Sequence, residues 1–155
     1  MYQEKFMKKA VALSAYNIRH GGGPFGAVIV KDGVIIAMGR NRVTSNNDPT
    51  AHAEVMTIRS AARKLKTFNL EGCEIYTSCE PCPMCLSAIY WAHINKVYYA
   101  NTKHDAAEIN FDDSFIYDEL ALPMHKRKVV FEQHDLKEAK QVFDEWKNDD
   151  TKIVY

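Results

Sequence analysis

The sequence predicts a layered α/β domain, and three observations carry that prediction. Two helix–strand units stand in the middle of the chain, 52–65 followed by 74–78 and 84–91 followed by 96–100. Alternation of this kind builds a sheet with helices packed on it. Ahead of them, Ala27-Val28-Ile29-Val30 and Val34-Ile35-Ile36-Ala37 flank Asp32-Gly33, a strong hairpin signal. The connections are short and none has the composition of a linker, so the 155 residues read as one domain long enough to bury a core.

The elements follow in order. Phe6, Ala10, Leu13 and Ile18 recur at helical spacing within 4–19, and His20-Gly21-Gly22-Gly23-Pro24 ends that helix in a turn. The hairpin comes next. Asn46-Asn47-Asp48-Pro49 is turn chemistry leading into a helix that opens at His52. Residues 74–78 read as a buried strand running into Cys79-Glu80-Pro81, and 84–91 as a short apolar helix. A strand at 96–100, a helix at 114–121, a strand at 129–132 and a helix at 136–147 complete the pattern, with 149–155 an unstructured tail.

Composition excludes several classes. The chain is 46% hydrophobic and 26% charged, with 20 basic residues against 20 acidic ones. A net charge of zero sets up no global field to gather nucleic acid or anionic membrane. The N-terminus lacks the apolar core of a signal peptide, and no apolar run reaches membrane-spanning length. The expected location is the cytoplasm. Clustering of Cys79, Cys82 and Cys85 fits metal or redox chemistry better than a secreted disulfide framework, and Cys73 reads as a small buried hydrophobe.

The chemistry concentrates in His52-Ala53-Glu54 and Pro81-Cys82-Pro83-Met84-Cys85. One imidazole and two thiolates suit zinc and leave a tetrahedral ion one open position for water. Cys82 and Cys85 share a face at a helix start, where backbone N–H groups and the helix dipole favour thiolates. His52 also begins a helix, so two helix starts set side by side would bring the three donors together. Glu54 would lean over the bound water as general base and then general acid. An acidic residue in a first helical turn is also common for dipole reasons alone. A structural zinc with Cys79 as fourth ligand, or a redox pair, are the other readings of these cysteines. The ordered combination matches the signature of zinc deaminases.

Through Thr50-Ala51-His52-Ala53-Glu54, Cys79-Glu80-Pro81-Cys82-Pro83-Met84-Cys85 and Ala88-Ile89, the chain resembles the cytidine-deaminase-like superfamily of zinc hydrolases. The resemblance implies a three-layer α-β-α fold with a central mixed five-stranded sheet. It also implies one Zn2+ per subunit, held by His52, Cys82 and Cys85, with Glu54 as proton shuttle and metal-bound hydroxide as nucleophile. Within the superfamily the chain resembles the bacterial guanine deaminases. Gly22 to Gly33, Ala88-Ile89-Tyr90-Trp91-Ala92, Phe111-Asp112-Asp113-Ser114-Phe115-Ile116-Tyr117 and terminal Tyr155 carry that likeness.

This second resemblance implies hydrolysis of guanine to xanthine and ammonia, with Asp113 assisting Glu54. Substrate contacts would come from Phe25, Asn41, Ala53, Trp91, Asp113 and Tyr155. It implies a homodimer in which 136–155 is exchanged between subunits and Tyr155 closes the partner's site. Taken singly, these residues have other readings: Asn41 as a turn residue, Phe25 and Trp91 as core aromatics, Asp113 as a helix cap, 149–155 as a frayed end. A tRNA adenosine deaminase, a deaminase of cytosine or another free base, and a non-catalytic zinc-stabilised interaction domain are the rival functions. The one dense basic run, Lys126-Arg127-Lys128, reads as a solvated loop, and the acidic residues of the tail disfavour a nucleic-acid partner.

Overall fold

A computed structural model describes all residues, Met1–Tyr155. They form two compact units, Met1–Ile116 and Tyr117–Tyr155.

The first unit is organised around a mixed four-stranded sheet. Helix α1 (Glu4–Ile18) is followed by β1 (Gly26–Lys31) and β2 (Val34–Arg40), which pair antiparallel. Asp32 and Gly33 both take positive φ, 51° and 75°, as a two-residue turn matched to the right-handed twist of the strands requires. Helix α2 (Val43–Asn46) and helix α3 (Ala53–Leu65) precede β3 (Cys73–Cys79). Helix α4 (Pro83–Trp91) then connects β3 to β4 (Lys96–Asn101), its parallel neighbour. The sheet order is β2-β1-β3-β4, with β1 and β3 antiparallel.

The period-2 alternation of β1 builds the layers. Val28 and Val30 pack with Phe6, Met7, Ala10 and Tyr76 on the α1 face. Ala27 and Ile29 pack on the other face with Ala53 and Ala61 of α3 and Ile89 of α4. Two glycines permit this closeness. A Cβ at Gly26 would overlap the Ala10 carbonyl of α1, and one at Gly39 would overlap Thr57 Oγ1 of α3. Cys73 is buried at the start of β3, in the small-hydrophobe role its position predicts.

Two elements depart from the sequence reading. The fifth strand expected at 129–132 is absent, so the sheet has four strands rather than five. Val129, Val130 and Phe131 have strand propensity, but a strand also needs a hydrogen-bonded neighbour, and this chain supplies none there. Helices α2 and α5 (Lys103–Glu108) were not expected; they are four and six residues long, too short to show a hydrophobic period. Helix α5 is set by a capping box between Thr102 and Asp105.

Helix α6 (Ser114–Ala121) leads to a 3-10 turn at Met124–Lys126 and to α7 (Lys137–Asn148). In the second unit Arg127 donates to the Leu122 and Leu120 carbonyls and lies over the Phe131 ring, so its charge is used internally. No helix is long and apolar enough to cross a membrane.

Candidate metal centre and active site

Two helix starts on the same face of the sheet meet at the ends of the strands. His52 is the N-cap of α3 and Cys82 the N-cap of α4, both with extended backbone; Pro83 occupies the first turn of α4, where its missing N–H costs nothing. Cys85 follows one turn into α4 and is fully buried. His52 Nδ1 lies 3.6 Å from Cys82 Sγ and 3.5 Å from Cys85 Sγ. The three donor atoms all fall within 4.8 Å of one another.

This set fits zinc on geometry. Bonds of about 2.3 Å to sulfur and about 2.0–2.1 Å to nitrogen, at a tetrahedral angle, place nitrogen and sulfur about 3.5–3.6 Å apart. Cys79 is not in the set. Its thiol faces the Thr102 carbonyl at 3.6 Å, and burial, reinforced by the Glu54 charge, pushes it up to about 11. The Cys82 thiol is lowered to about 4, first by the hydrogen bond from Cys85 and also by His52; donating that bond and being buried raise Cys85. His52 is raised chiefly by its bond to Cys82.

Glu54, in the first turn of α3, is only 5% exposed. Thr77 Oγ1 of β3 donates to its Oε1 at 2.9 Å, and Cys85 Sγ approaches Oε2 at 3.4 Å. Burial raises its pKa, partly opposed by its own backbone N–H and by Thr77. A carboxyl so placed holds a proton more readily than one in water and is anchored beside the three donors, which is what a proton shuttle requires.

These groups open into a cavity of ≈ 390 Å³. Phe25, Asn41, His52, Glu54, Cys82 and Asp113 all line it, as do Phe111, Glu80 and Lys103. Asn41 follows β2, is 8% exposed, and accepts a bond from Val43 N through Oδ1 at 3.1 Å. Asp112, not Asp113, takes the capping contact, accepting from Ser114 N at 2.9 Å. Asp113 is thereby left to face the cavity, where burial raises its carboxyl, aided by the nearby Cys82 charge. Ala53 is buried between His52 and Glu54.

Trp91 does not line the cavity. It sits at the end of α4 and is 66% exposed. The aromatic that meets Phe25 is Phe111, edge-on with ring centroids 4.9 Å apart. Phe111 lies in an irregular segment without periodicity, which the sequence marked through resemblance but without giving Phe111 a role in the site. Tyr155 ends the second unit and is 71% exposed.

Comparison with known proteins agrees with this geometry. Guanine deaminase of Bacillus subtilis is 54% identical over the whole of both chains. The X-ray structure of guanine deaminase from Bacillus subtilis superposes with a TM-score of 0.96, covering 100% of this chain and 99% of that one. The tRNA-specific adenosine deaminase of Aquifex aeolicus is 38% identical over 94% of each chain. A family model, the cytidine and deoxycytidylate deaminase zinc-binding region, matches residues 1–101. That span holds His52, Glu54, Cys82 and Cys85 together, and the chain belongs to the cytidine and deoxycytidylate deaminase zinc-binding family.

Proposed function

We propose that this chain is a zinc-dependent aminohydrolase that converts guanine and water to xanthine and ammonia. The observation that carries the substrate is the match to Bacillus subtilis guanine deaminase across essentially the full length of both chains. His52, Cys82 and Cys85 would hold the metal. When bound, zinc polarises water at neutral pH and so supplies the nucleophile that displaces the exocyclic amine.

The rest is the work of side chains. Glu54 accepts a proton from the attacking water through the carboxyl oxygen not held by Thr77, and passes it to a ring nitrogen. Glu54, again a carboxylate, then takes the second water proton from the newly added hydroxyl and hands it to the departing amine, so that the C–N bond breaks, the carbonyl forms and ammonia leaves. Phe25 and Phe111 bound the purine at its faces or edges, and Asn41 meets it with a hydrogen bond. Asp113 orients the amine or relays protons at the mouth. Burial of the site excludes bulk water and strengthens each of these interactions.

The working form is a homodimer in which the C-terminal segment crosses to the partner and Tyr155 closes the partner's cavity. Exposure of Val142, Phe143 and Trp146 on α7 and of Ile153, Val154 and Tyr155 after it supports that reading, because such apolar surface calls for a cover. Exposed Trp91 would then meet substrate or partner only in the assembled dimer. Four free cysteines suit a reducing compartment, and we place the enzyme in the cytoplasm.

The test is ammonia release and product identification from guanine, adenine, cytosine and a tRNA anticodon stem-loop, using zinc-loaded protein. Guanine is the expected substrate, with Glu54→Gln lowering kcat about 10²–10⁴-fold. Turnover of the stem-loop or cytosine but not guanine would defeat the substrate assignment; activity surviving Glu54→Gln would defeat the shuttle. Deletion of 150–155 should sharply reduce guanine turnover if the tail closes the site.

A further inference from the structure

Asn17 lies in the last turn of α1, on the opposite face of the sheet from α3 and α4, and is 2% exposed. Fully burying an amide is costly unless its hydrogen bonds are made; here Oδ1 accepts from Arg40 Nη1 at 3.4 Å, and both Nδ2 bonds are spent on the walls of the cavity. Its Nδ2 donates to the Gly23 carbonyl at 2.8 Å and to the Asn41 carbonyl at 2.9 Å. Gly23 and Asn41 both line the cavity, and Phe25 N is bonded in turn to the Gly23 carbonyl at 2.8 Å. The Asn17 carbonyl accepts Gly22 N at 3.0 Å, and a Cβ at Gly22 would overlap the Asn17 amide. The 21–25 turn is thus folded around this one side chain, with Ser14 Oγ adding a bond to the Pro24 carbonyl at 2.8 Å.

The consequence falls on Asn41. Its N–H is bonded to the Phe25 carbonyl at 3.1 Å, its carbonyl to Asn17, and its Oδ1 to Val43 N. The bond from Val43 N fixes the orientation of the amide through Oδ1, so Nδ2 is the donor that Asn41 offers the substrate, for a ring nitrogen or carbonyl oxygen. We infer that Asn17 is a positioning residue for purine recognition: by tying the 21–25 turn to residue 41 it sets the direction of the Asn41 donor and the placement of Phe25. This rests on the guanine reading above and extends it to a residue that touches neither substrate nor metal.

The substitution that isolates the effect is Asn17→Asp, which keeps the shape and the oxygen that Arg40 Nη1 meets, but removes both donated bonds and sets a carboxylate oxygen against two carbonyl oxygens. The measurements are kcat and KM for guanine, the Kd of xanthine by calorimetry, zinc per chain and Tm. We expect KM and the xanthine Kd to rise together by about tenfold or more, about 1.4 kcal/mol or more of lost binding. Zinc content stays at the wild-type level and kcat changes far less than KM. Asn17→Ser, whose hydroxyl serves one carbonyl, should fall between wild type and Asn17→Asp. Unchanged KM and Kd with only Tm lowered would overturn the inference, as would loss of zinc or kcat at constant KM. Failure of both variants to fold would assign Asn17 to the fold alone and overturn it too. Wild-type protein active on a different base would defeat the substrate reading instead, and the same comparison on that base then decides the role of Asn17.

Discussion

Gly39→Ala tests whether the seating of α3 on the sheet governs the reactive centre. Gly39 lies on β2 opposite Ala27 and faces the first turns of α3. An added Cβ would overlap Thr57 Oγ1 and stand 2.9 Å from the Ala53 carbonyl, where ordinary contact begins at 3.4 Å. Thr57 Oγ1 cannot swing away freely, because it donates to the Ala53 carbonyl at 2.6 Å in a fully buried position. The start of α3 must therefore withdraw by at least about half an ångström, the amount that clears the Ala53 carbonyl, and His52 and Glu54 flank that carbonyl. Overpacking of this kind costs about 1–3 kcal/mol. At about 2–4 °C per kcal/mol for a chain of this size, Tm should fall by about 2–12 °C. Misplacing catalytic groups by about 1 Å can cost about 10²-fold, so a shift half as large should lower kcat/KM for guanine about tenfold. Adding Thr57→Ala removes the overlapping hydroxyl but not the carbonyl, and should recover only part of the Tm loss. A Gly39→Ala protein with wild-type Tm and kcat/KM would refute the argument that this packing positions the site.

Three further outcomes follow from the geometry. Stripping zinc with a strong chelator should abolish deamination and lower Tm, both restored by added zinc; zinc at 100 times its Kd contributes about 2.7 kcal/mol of stability, and full activity in metal-stripped protein would remove zinc from the reaction. Thr77→Val keeps the volume of Thr77 but takes away its bond to Glu54 Oε1, and should lower kcat by about 10- to 100-fold while zinc content holds, since a bond to a charged group is worth about 1.5–3 kcal/mol. Phe111→Ala removes the partner of Phe25 and should raise KM for guanine about 2–10-fold, as expected from an aromatic contact of about 0.5–1.5 kcal/mol; a KM shift from Trp91→Ala in a protein shown to be monomeric would count against Phe111 as the wall.

Elements whose signals are short-range were legible. The Asp32-Gly33 hairpin could be read from a dipeptide, because positive φ at two successive residues selects for it. The helices at Ala53–Leu65 and Ser114–Ala121 fell where their start signals and apolar positions put them. The meeting of His52 with Cys82 and Cys85 was also legible, since residues capping two helices on one sheet face can be placed together once the helix–strand order is known. Strand 129–132 failed for the complementary reason: propensity describes one chain segment, whereas a strand is a pairing.

By itself the sequence determined the layered α/β class, the donor set and the carboxylate beside it, because each depends on residue type and spacing of a few positions. Tertiary structure decided what lines the cavity. Only packing shows that Phe111 rather than Trp91 meets Phe25, that Asp112 takes the cap and leaves Asp113 to the cavity, and that buried Asn17 on the far face of the sheet donates to the Asn41 carbonyl. Those contacts join residues up to 86 positions apart across three layers, and no local pattern encodes a contact whose partners are chosen by the fold.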